Sequence, residues 1–187
     1  MLGAAPLGMF GVGMSRQTHG DQSSAHHRAD PTRVRCAVLT VSDTRTPDTD
    51  ASGQRIRSLL EAAGHRVVAY AVLPDEPARV RAHVAAHVAD AGVEAVIVDG
   101  GTGVAPRDTT YEAIAGLLDK RLDGFGELFR MLSFAQIGAA AMLSRALAGV
   151  AGRTVVVSLP GSTAAVELAM TRLVVPELGH MVALLEG

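Results

Sequence analysis

The segment Asp99-Gly-Gly-Thr-Gly-Val-Ala-Pro-Arg-Asp108 concentrates residue types that handle phosphate. It follows the apolar run Glu94-Ala-Val-Ile-Val98, which reads as a buried strand. Gly100, Gly101, Thr102 and Gly103 then form a loop at that strand's carboxyl end, where backbone N–H groups can close on an anion. Arg107 can hold a second anion, and Asp108 can hold a metal ion or orient a nucleophile. Glycines alone would read as a tight turn. The Arg-Asp pair directly behind them supplies the cation and carboxylate that nucleotide or phosphate chemistry needs.

Three other apolar runs end in residues of the same kind. Ser42, Asp43 and Arg45 follow the run from Val34; Asp75 and Glu76 follow His65 to Leu73; Pro160, Gly161 and Ser162 follow Val155 to Leu159. Ligands of open parallel sheets bind beyond the carboxyl ends of the strands. Taken singly, Asp75 reads as a turn or capping residue; four such ends on one edge make a site. Ser162 also reads as the N-cap of a helix, itself an anion site. Several alternatives fail. The chain has no Gly-x-x-x-x-Gly-Lys-Ser/Thr loop, and Gly101-Thr-Gly103-Val-Ala-Pro106 places Pro where a dinucleotide fingerprint needs its third Gly. His83 and His87 are four apart, without the Glu of a zinc protease motif or a third ligand nearby, and read as structural histidines.

The elements that must position these residues alternate. Strands are expected at Val34 to Ser42, His65 to Leu73 and Ala95 to Val98, with helices at Ser52 to Ala63 and Pro77 to Ala91. This βαβαβ order implies a parallel sheet with right-handed crossovers. Helices are expected at Thr110 to Leu118 and Phe125 to Ile137. Extended runs at Ser144 to Val150 and Arg153 to Ser158 flank Ala151-Gly152 as a hairpin. A long helix follows Ser162, with Pro176 as its expected breaking point. Phe125, Phe129, Leu132 and Gln136 lie at helical spacing, as on a core or subunit-contact face.

The 187 residues favour one domain, and an apolar share of 48% is ample for a core, although aromatics are 3% and Trp is absent. Seventeen basic against nineteen acidic residues give a net charge of −2, so no basic field marks a nucleic acid or membrane surface as partner. Cys36 lies in a strand pattern, reads as a small buried hydrophobe, excludes any disulfide within the chain and suits a reducing cytoplasm. Residues 1–33 show no sustained period and read as a disordered tail, with Met14 as an alternative start and His19, His26 and His27 solvated. Glycines and an uncharged start argue against a secretory signal. No run of eighteen apolar residues occurs, so no membrane-spanning helix is expected. The folded domain is placed at 34–187.

The chain resembles the MoaB/MogA family of molybdenum cofactor biosynthesis, related to domains of gephyrin, over roughly Val34 to Leu185. The likeness is carried by Thr40-Val-Ser-Asp-Thr-Arg45, Asp48-Thr-Asp-Ala-Ser-Gly53, Pro74-Asp-Glu76, Gly100-Gly-Thr-Gly103 and Arg107-Asp108. Gly124-Phe-Gly-Glu-Leu-Phe-Arg130, Ser144-Arg145 and Leu159-Pro-Gly-Ser162 complete it. The Gly124 segment, followed by Met131-Leu-Ser-Phe134, looks more like the MoaB branch than MogA. The resemblance implies a three-layer αβα fold with a mostly parallel sheet and a small β-hairpin. It implies adenylylation of molybdopterin: ATP donates AMP to the pterin's terminal phosphate with Mg²⁺, releasing pyrophosphate. The family's two functional aspartates match Asp75 and Asp108, expected as catalytic and metal-holding residues. Its Ser-Arg pair for pterin matches Ser144 and Arg145. Its ligand-contacting loops match Gly100 to Gly103 and Pro160 to Ser162, with Ser42, Asp43 and Arg107 added at the same edge. A carboxylate needs no base strength to hold Mg²⁺, and a pterin phosphate is already ionised near neutral pH. Both aspartates are therefore expected to position metal or nucleotide rather than act as general bases. A homo-oligomer, trimer or hexamer, is implied as well.

The chain departs from the family at Thr109-Thr-Tyr-Glu112, where relatives commonly show Val-Thr-Pro-Glu, and in the added carboxylate of Asp99. Two other functions share this fold. A catalytically silent pterin-binding or scaffold subunit is opposed by the presence of both acidic motifs. A nucleotide pyrophosphatase-like enzyme, as in CinA-type proteins, is opposed by the Gly124 to Arg130 segment.

Overall fold

The computed structural model of the chain describes residues 33–106 and 108–186. The expectations for Arg107, and for the tail apart from Arg33, lie outside those residues. In chain order the elements begin β1 (Arg35–Val41), α1 (Ala51–Ala62), β2 (Arg66–Leu73), α2 (Pro77–Val88), β3 (Ala95–Asp99) and α3 (Thr110–Ala115). There follow β4 (Lys120–Arg121), α4 (Asp123–Ile137), β5 (Leu147–Ala151), β6 (Thr154–Leu159), α5 (Thr163–Ala169) and α6 (Val175–Glu186).

The strands form one six-stranded sheet in the order β2-β1-β3-β6-β5-β4. β2, β1, β3 and β6 run parallel; β5 and β4 join antiparallel at the β6 edge. A strand buried on both faces needs apolar residues at successive positions, and β1 meets that need. Cys36 and Val38 enter one core cluster with Ile56, Leu60, Phe129, Val166 and Leu178. Ala37, Leu39 and Val41 enter the other with Val80, Val84, Ala113 and Ile114. Helices α1, α4, α5 and α6 therefore cover one face and α2 and α3 the other, giving the expected three layers. Burial pushes the Cys36 thiol up to about 12, consistent with a packing role.

The chain leaves β1 for β2 on one side and returns past β1 to β3 on the other. That reversal opens a crevice at the carboxyl ends of β1 and β3.

The expected hairpin is present, with Gly152 at φ 58 between β5 and β6. Several boundaries differ. α2 ends at Val88, α3 ends at Ala115, and β5 begins at Leu147 rather than Ser144. β4 is two residues long, too short to leave a periodic signal. Pro176 does not break its helix. Met170–Val174 form a π turn in which the Val175 N–H bonds the Met170 oxygen, five residues back. Proline lacks an N–H and crowds the carbonyl four residues earlier; the widened turn lies where that crowding would fall. The helix is thus continuous over Thr163–Glu186, 24 residues, and an 18-residue stretch of it has a mean hydropathy of 1.4, so that by length and composition alone it is long and apolar enough to cross a bilayer. The contrary expectation rested on unbroken apolar runs, which Glu167, Arg172 and Glu177 interrupt. Val166, Ala169, Met170, Val174 and Leu178 are buried against the sheet.

Candidate active site at the carboxyl edge of the sheet

Pairing brings three strand ends level: Thr40 lies opposite Asp99, and Asp99 opposite Leu159. Beyond them opens a cleft of about 590 Å³. Ser42, Gly100, Gly101, Thr102, Gly103 and Asp108 line it from β1 and β3, Pro160, Gly161 and Ser162 from β6, and Ser144 from the segment before β5. Ser162 caps α5, its side chain accepting from the Ala165 N–H at 3.2 Å.

The glycine loop is shaped by what surrounds it. Gly101 has φ +61, and a Cβ there would lie 2.1 Å from Thr110 Oγ1 and 2.7 Å from Asp75 Oδ2. A Cβ on Gly103 would lie 2.5 Å from Asp108 Oδ2. The two expected aspartates thus flank one loop, Asp75 beside Gly101 and Asp108 beside Gly103. Asp108 lines the cleft and accepts the Ala105 N–H at 2.8 Å. Asp75 sits behind the loop, its Oδ1 accepting from Thr109 Oγ1 at 3.1 Å. Asp43 is not among the cleft-lining residues; its Oδ1 accepts the Asp75 N–H at 3.0 Å and so holds the loop after β2. Burial raises the Asp75 pKa, and the charges of Asp108 and Asp43 add to that against the Thr109 hydrogen bond.

Arg145 also lies outside the cleft proper, in an adjoining cavity of about 470 Å³ that shares Ser144 with it. Its Nε donates to the Thr102 oxygen at 3.3 Å and its Nη2 to the Asp108 oxygen at 2.7 Å. Its Nη1 pairs with Glu112, and its guanidinium stacks over Tyr111 at 5.0 Å. Tyr111, which departs from the Val-Thr-Pro-Glu pattern, and Glu112, which keeps to it, thus both hold Arg145 beside the glycine loop.

Several residues of the site were not among the expected ligands. Arg45 lines the cleft and reaches the Gly161 oxygen from Nη2 at 2.8 Å and Ser52 Oγ from Nη1 at 2.6 Å. Beneath it lies a buried cluster. Thr40 Oγ1 is 2.5 Å from Asp50 Oδ2 and 2.7 Å from Asp99 Oδ1; Ser52 Oγ is 2.5 Å from Asp99 Oδ2. Phe129, Ser133 and Gln136 of α4 form the opposite wall of the cleft. Phe129 and Gln136 were legible as a packing face, which hid the part that α4 takes in the site.

Mg²⁺ uses one or two carboxylates and fills its remaining positions with water and substrate phosphate. Two aspartates from different loops, flanking the glycine loop and repelling each other, fit an ion that arrives with a nucleotide. Among the described residues no three His, Cys, Asp or Glu side chains gather as a ready-made ligand set. His83 and His87 meet ring to ring at 4.8 Å.

Residues 37–180 match the family model described as a probable molybdopterin binding domain. Molybdenum cofactor biosynthesis protein B of Halalkalibacterium halodurans is 53% identical over 157 residues, 83% of this chain and 92% of that relative. A crystal structure of a molybdenum cofactor biosynthesis protein B superposes with a TM-score of 0.82 at 49% identity, covering 84% of this chain and 99% of that one. The tungsten cofactor synthesizing protein MoaB of Pyrococcus furiosus superposes with a TM-score of 0.75 at 34% identity, covering 84% and 99%. The chain belongs to the MoaB/MogA family of molybdenum cofactor biosynthesis proteins.

Proposed function

We propose that this protein is a molybdopterin adenylyltransferase, transferring AMP from ATP to the terminal phosphate of molybdopterin and releasing pyrophosphate. One observation carries the proposal: Asp75 and Asp108 flank a glycine loop that opens on a cleft of about 590 Å³. A pterin phosphate oxygen bonds to the α-phosphorus of ATP as the bond to pyrophosphate breaks. Both reactants are anions, so charge stabilisation and alignment must supply most of the catalysis. The Gly100 N–H bonds the Leu159 oxygen at 3.0 Å; the N–H groups of Gly101 to Gly103 and the N-terminus of α5 would face the nucleotide phosphates. Ser144 offers a hydroxyl to the pterin side. Arg145 fixes the loop through the Thr102 and Asp108 oxygens. Asp75 and Asp108 would hold Mg²⁺, which when bound neutralises phosphate charge.

The site belongs in a cytoplasmic homo-oligomer. Phe134 is 63% exposed and Met142 77%, and both lie close in sequence to Ile137 and Leu143, which line the cleft. Contiguous exposed apolar surface of this kind marks an interface. A trimer or hexamer would bring a neighbouring subunit near the cleft.

The deciding assay mixes purified protein, molybdopterin, ATP and Mg²⁺ and measures adenylylated pterin and pyrophosphate. Equal amounts of both products are expected. Pterin binding without product would replace the enzyme by a pterin-binding scaffold.

A further inference from the structure

We propose that Asp50 and Asp99 hold one proton between them through Thr40, and that the pair is a positioning device for the glycine loop and Arg45. The case is a count of protons. Thr40 Oγ1 stands within 2.5 Å of Asp50 Oδ2 and 2.7 Å of Asp99 Oδ1, and a hydroxyl has one proton to donate. With both carboxylates ionised, one contact would set lone pair against lone pair at hydrogen-bond distance. Ser52 cannot relieve this, because its oxygen accepts from Arg45 Nη1 and its own proton faces Asp99 Oδ2 at 2.5 Å. One carboxyl proton satisfies every short contact: Asp99 Oδ1 donates to Thr40, Thr40 to Asp50 Oδ2, and Ser52 to Asp99 Oδ2, so that the longer approach of Ser52 Oγ to Asp50 Oδ1, at 3.1 Å, carries no proton.

The proton belongs on Asp99. Asp50 has two further donors, Tyr70 OH at 2.7 Å and the Gly53 N–H at 3.1 Å, which favour its ionised form. Both aspartates are fully buried, and Arg45 Nη1 lies 3.6 Å from Asp50 and 3.7 Å from Asp99. One proton leaves one anion beside one cation, where two ionised carboxylates would leave a buried negative charge uncompensated. The titration directions agree. Burial, with Asp50 adding, pushes Asp99 up to about 6. Asp50 falls below its usual range although burial opposes this, drawn down chiefly by hydrogen bonds from Thr40, Tyr70 and Gly53. The titratable and charged groups facing Asp99 are Asp50 and Arg45, with Tyr70 beyond Asp50 and Arg57 over the Tyr70 ring; β6 presents Leu159 in register.

Asp99 is the last residue of β3 and leads directly into Gly100, and Arg45 bridges the cluster to the Gly161 oxygen in the cleft. Loss of the proton turns the Thr40 bridge into a repulsion at the root of the loop. The proton count stands apart from the proposed reaction; only its consequence for substrate rests on that reading.

The test is an NMR titration of the full chain carrying ¹³C-labelled aspartate carboxyls and ¹⁵N-labelled glycine, from about pH 4 to pH 8. The wild type is expected to show one carboxyl with a midpoint of about 6, followed at the same midpoint by the amides of Gly100 and Gly101. Asp99→Asn keeps a donor toward Thr40 and should remove both titrations while leaving the loop amides at their low-pH positions. If every wild-type aspartate titrates in the ordinary range, the shared proton is refuted, whether or not the variant folds. A carboxyl titration without movement of the loop amides refutes the positioning role. ATP titrated into the same samples tests the cleft separately. Absence of ATP binding alongside the coupled titrations counts against adenylylation and leaves the pair standing.

Discussion

Arg145 donates from Nη2 to the main-chain oxygen of Asp108 at 2.7 Å, and so an arginine of the segment before β5 sets the backbone of a proposed catalytic residue. A second bond, from Nε to the Thr102 oxygen, anchors the other part of the same loop. A planar fork can serve two carbonyls at once, and an ammonium group cannot reproduce that geometry. Arg145→Lys should therefore fold, lose on the order of 1–2 kcal/mol of stability, and lose roughly tenfold or more in adenylylation. Thermal unfolding and product assays check this; full activity in the lysine variant would show that the loop holds without the fork.

Asp75→Asn and Asp108→Asn should each reduce adenylylation by roughly a hundredfold or more, since each would remove a metal-holding or positioning carboxylate at the reacting phosphates. The two sit on opposite flanks of one loop, so the double variant should be little worse than either single one. Circular dichroism should be unchanged. Turnover close to wild type in either single variant would remove that residue from the site.

Stability should pass through a maximum in the ordinary carboxylate range, at about pH 4. Hydrogen bonds, led by those from Thr40 and Tyr70, hold Asp50 below its ordinary value despite burial, and those of Arg35 hold Glu94 down in the same way. Their stabilisation is present above the unfolded carboxylate range and is lost as pH falls. Asp99 acts in the opposite direction. Its folded value of about 6 exceeds the unfolded 3.8, so the native state binds the extra proton and stability declines as pH rises between them. The decline should be on the order of 3 kcal/mol. Asp99→Asn should flatten the alkaline side of the profile while keeping the acid side; unchanged slopes on both sides would contradict the assignment.

The apolar surface made by Met131, Phe134, Ile137 and Met142 should be covered in solution. Light scattering at low micromolar concentration should give a trimer or hexamer, and Phe134→Glu should shift the mass toward one chain. A wild-type mass equal to one chain would leave that surface exposed and refute the oligomer.

Much of this molecule could be read from the chain because its signals are local. The run before Gly100, the valines at 80 and 84, and the cap at Ser162 each declare an element within a few residues. The Asp50, Thr40, Ser52 and Asp99 cluster could not be read this way. Its bonds join residues 59 and 47 positions apart, and each member alone resembles a cap or strand residue. Arg145 was legible as a ligand candidate from its type and motif. That its donors turn to carbonyls of the glycine loop follows from how β5 lies beside that loop, and no spacing reports it. Ser133 was hidden because a small polar residue on a packed helix leaves no signal of its own.

The π turn ahead of Pro176 has a consequence for the phase of the last helix. Met170, Val174, Leu178 and Val182 are all buried although they recur every four residues. An ordinary helix advances about 100° per residue, so a four-residue repeat creeps around the axis by about 40° at each step. An underwound turn near the start of that series retards the creep and keeps the four side chains aimed at the sheet. The turn acts as a rotational correction between the half of the helix that caps the cleft at Ser162 and the half that seals the core. Winding these same residues at regular pitch would swing α6 by the angle of about one residue, roughly 100°. Leu178 and Val182 would turn away from the sheet, while the cleft end of the helix stayed in place.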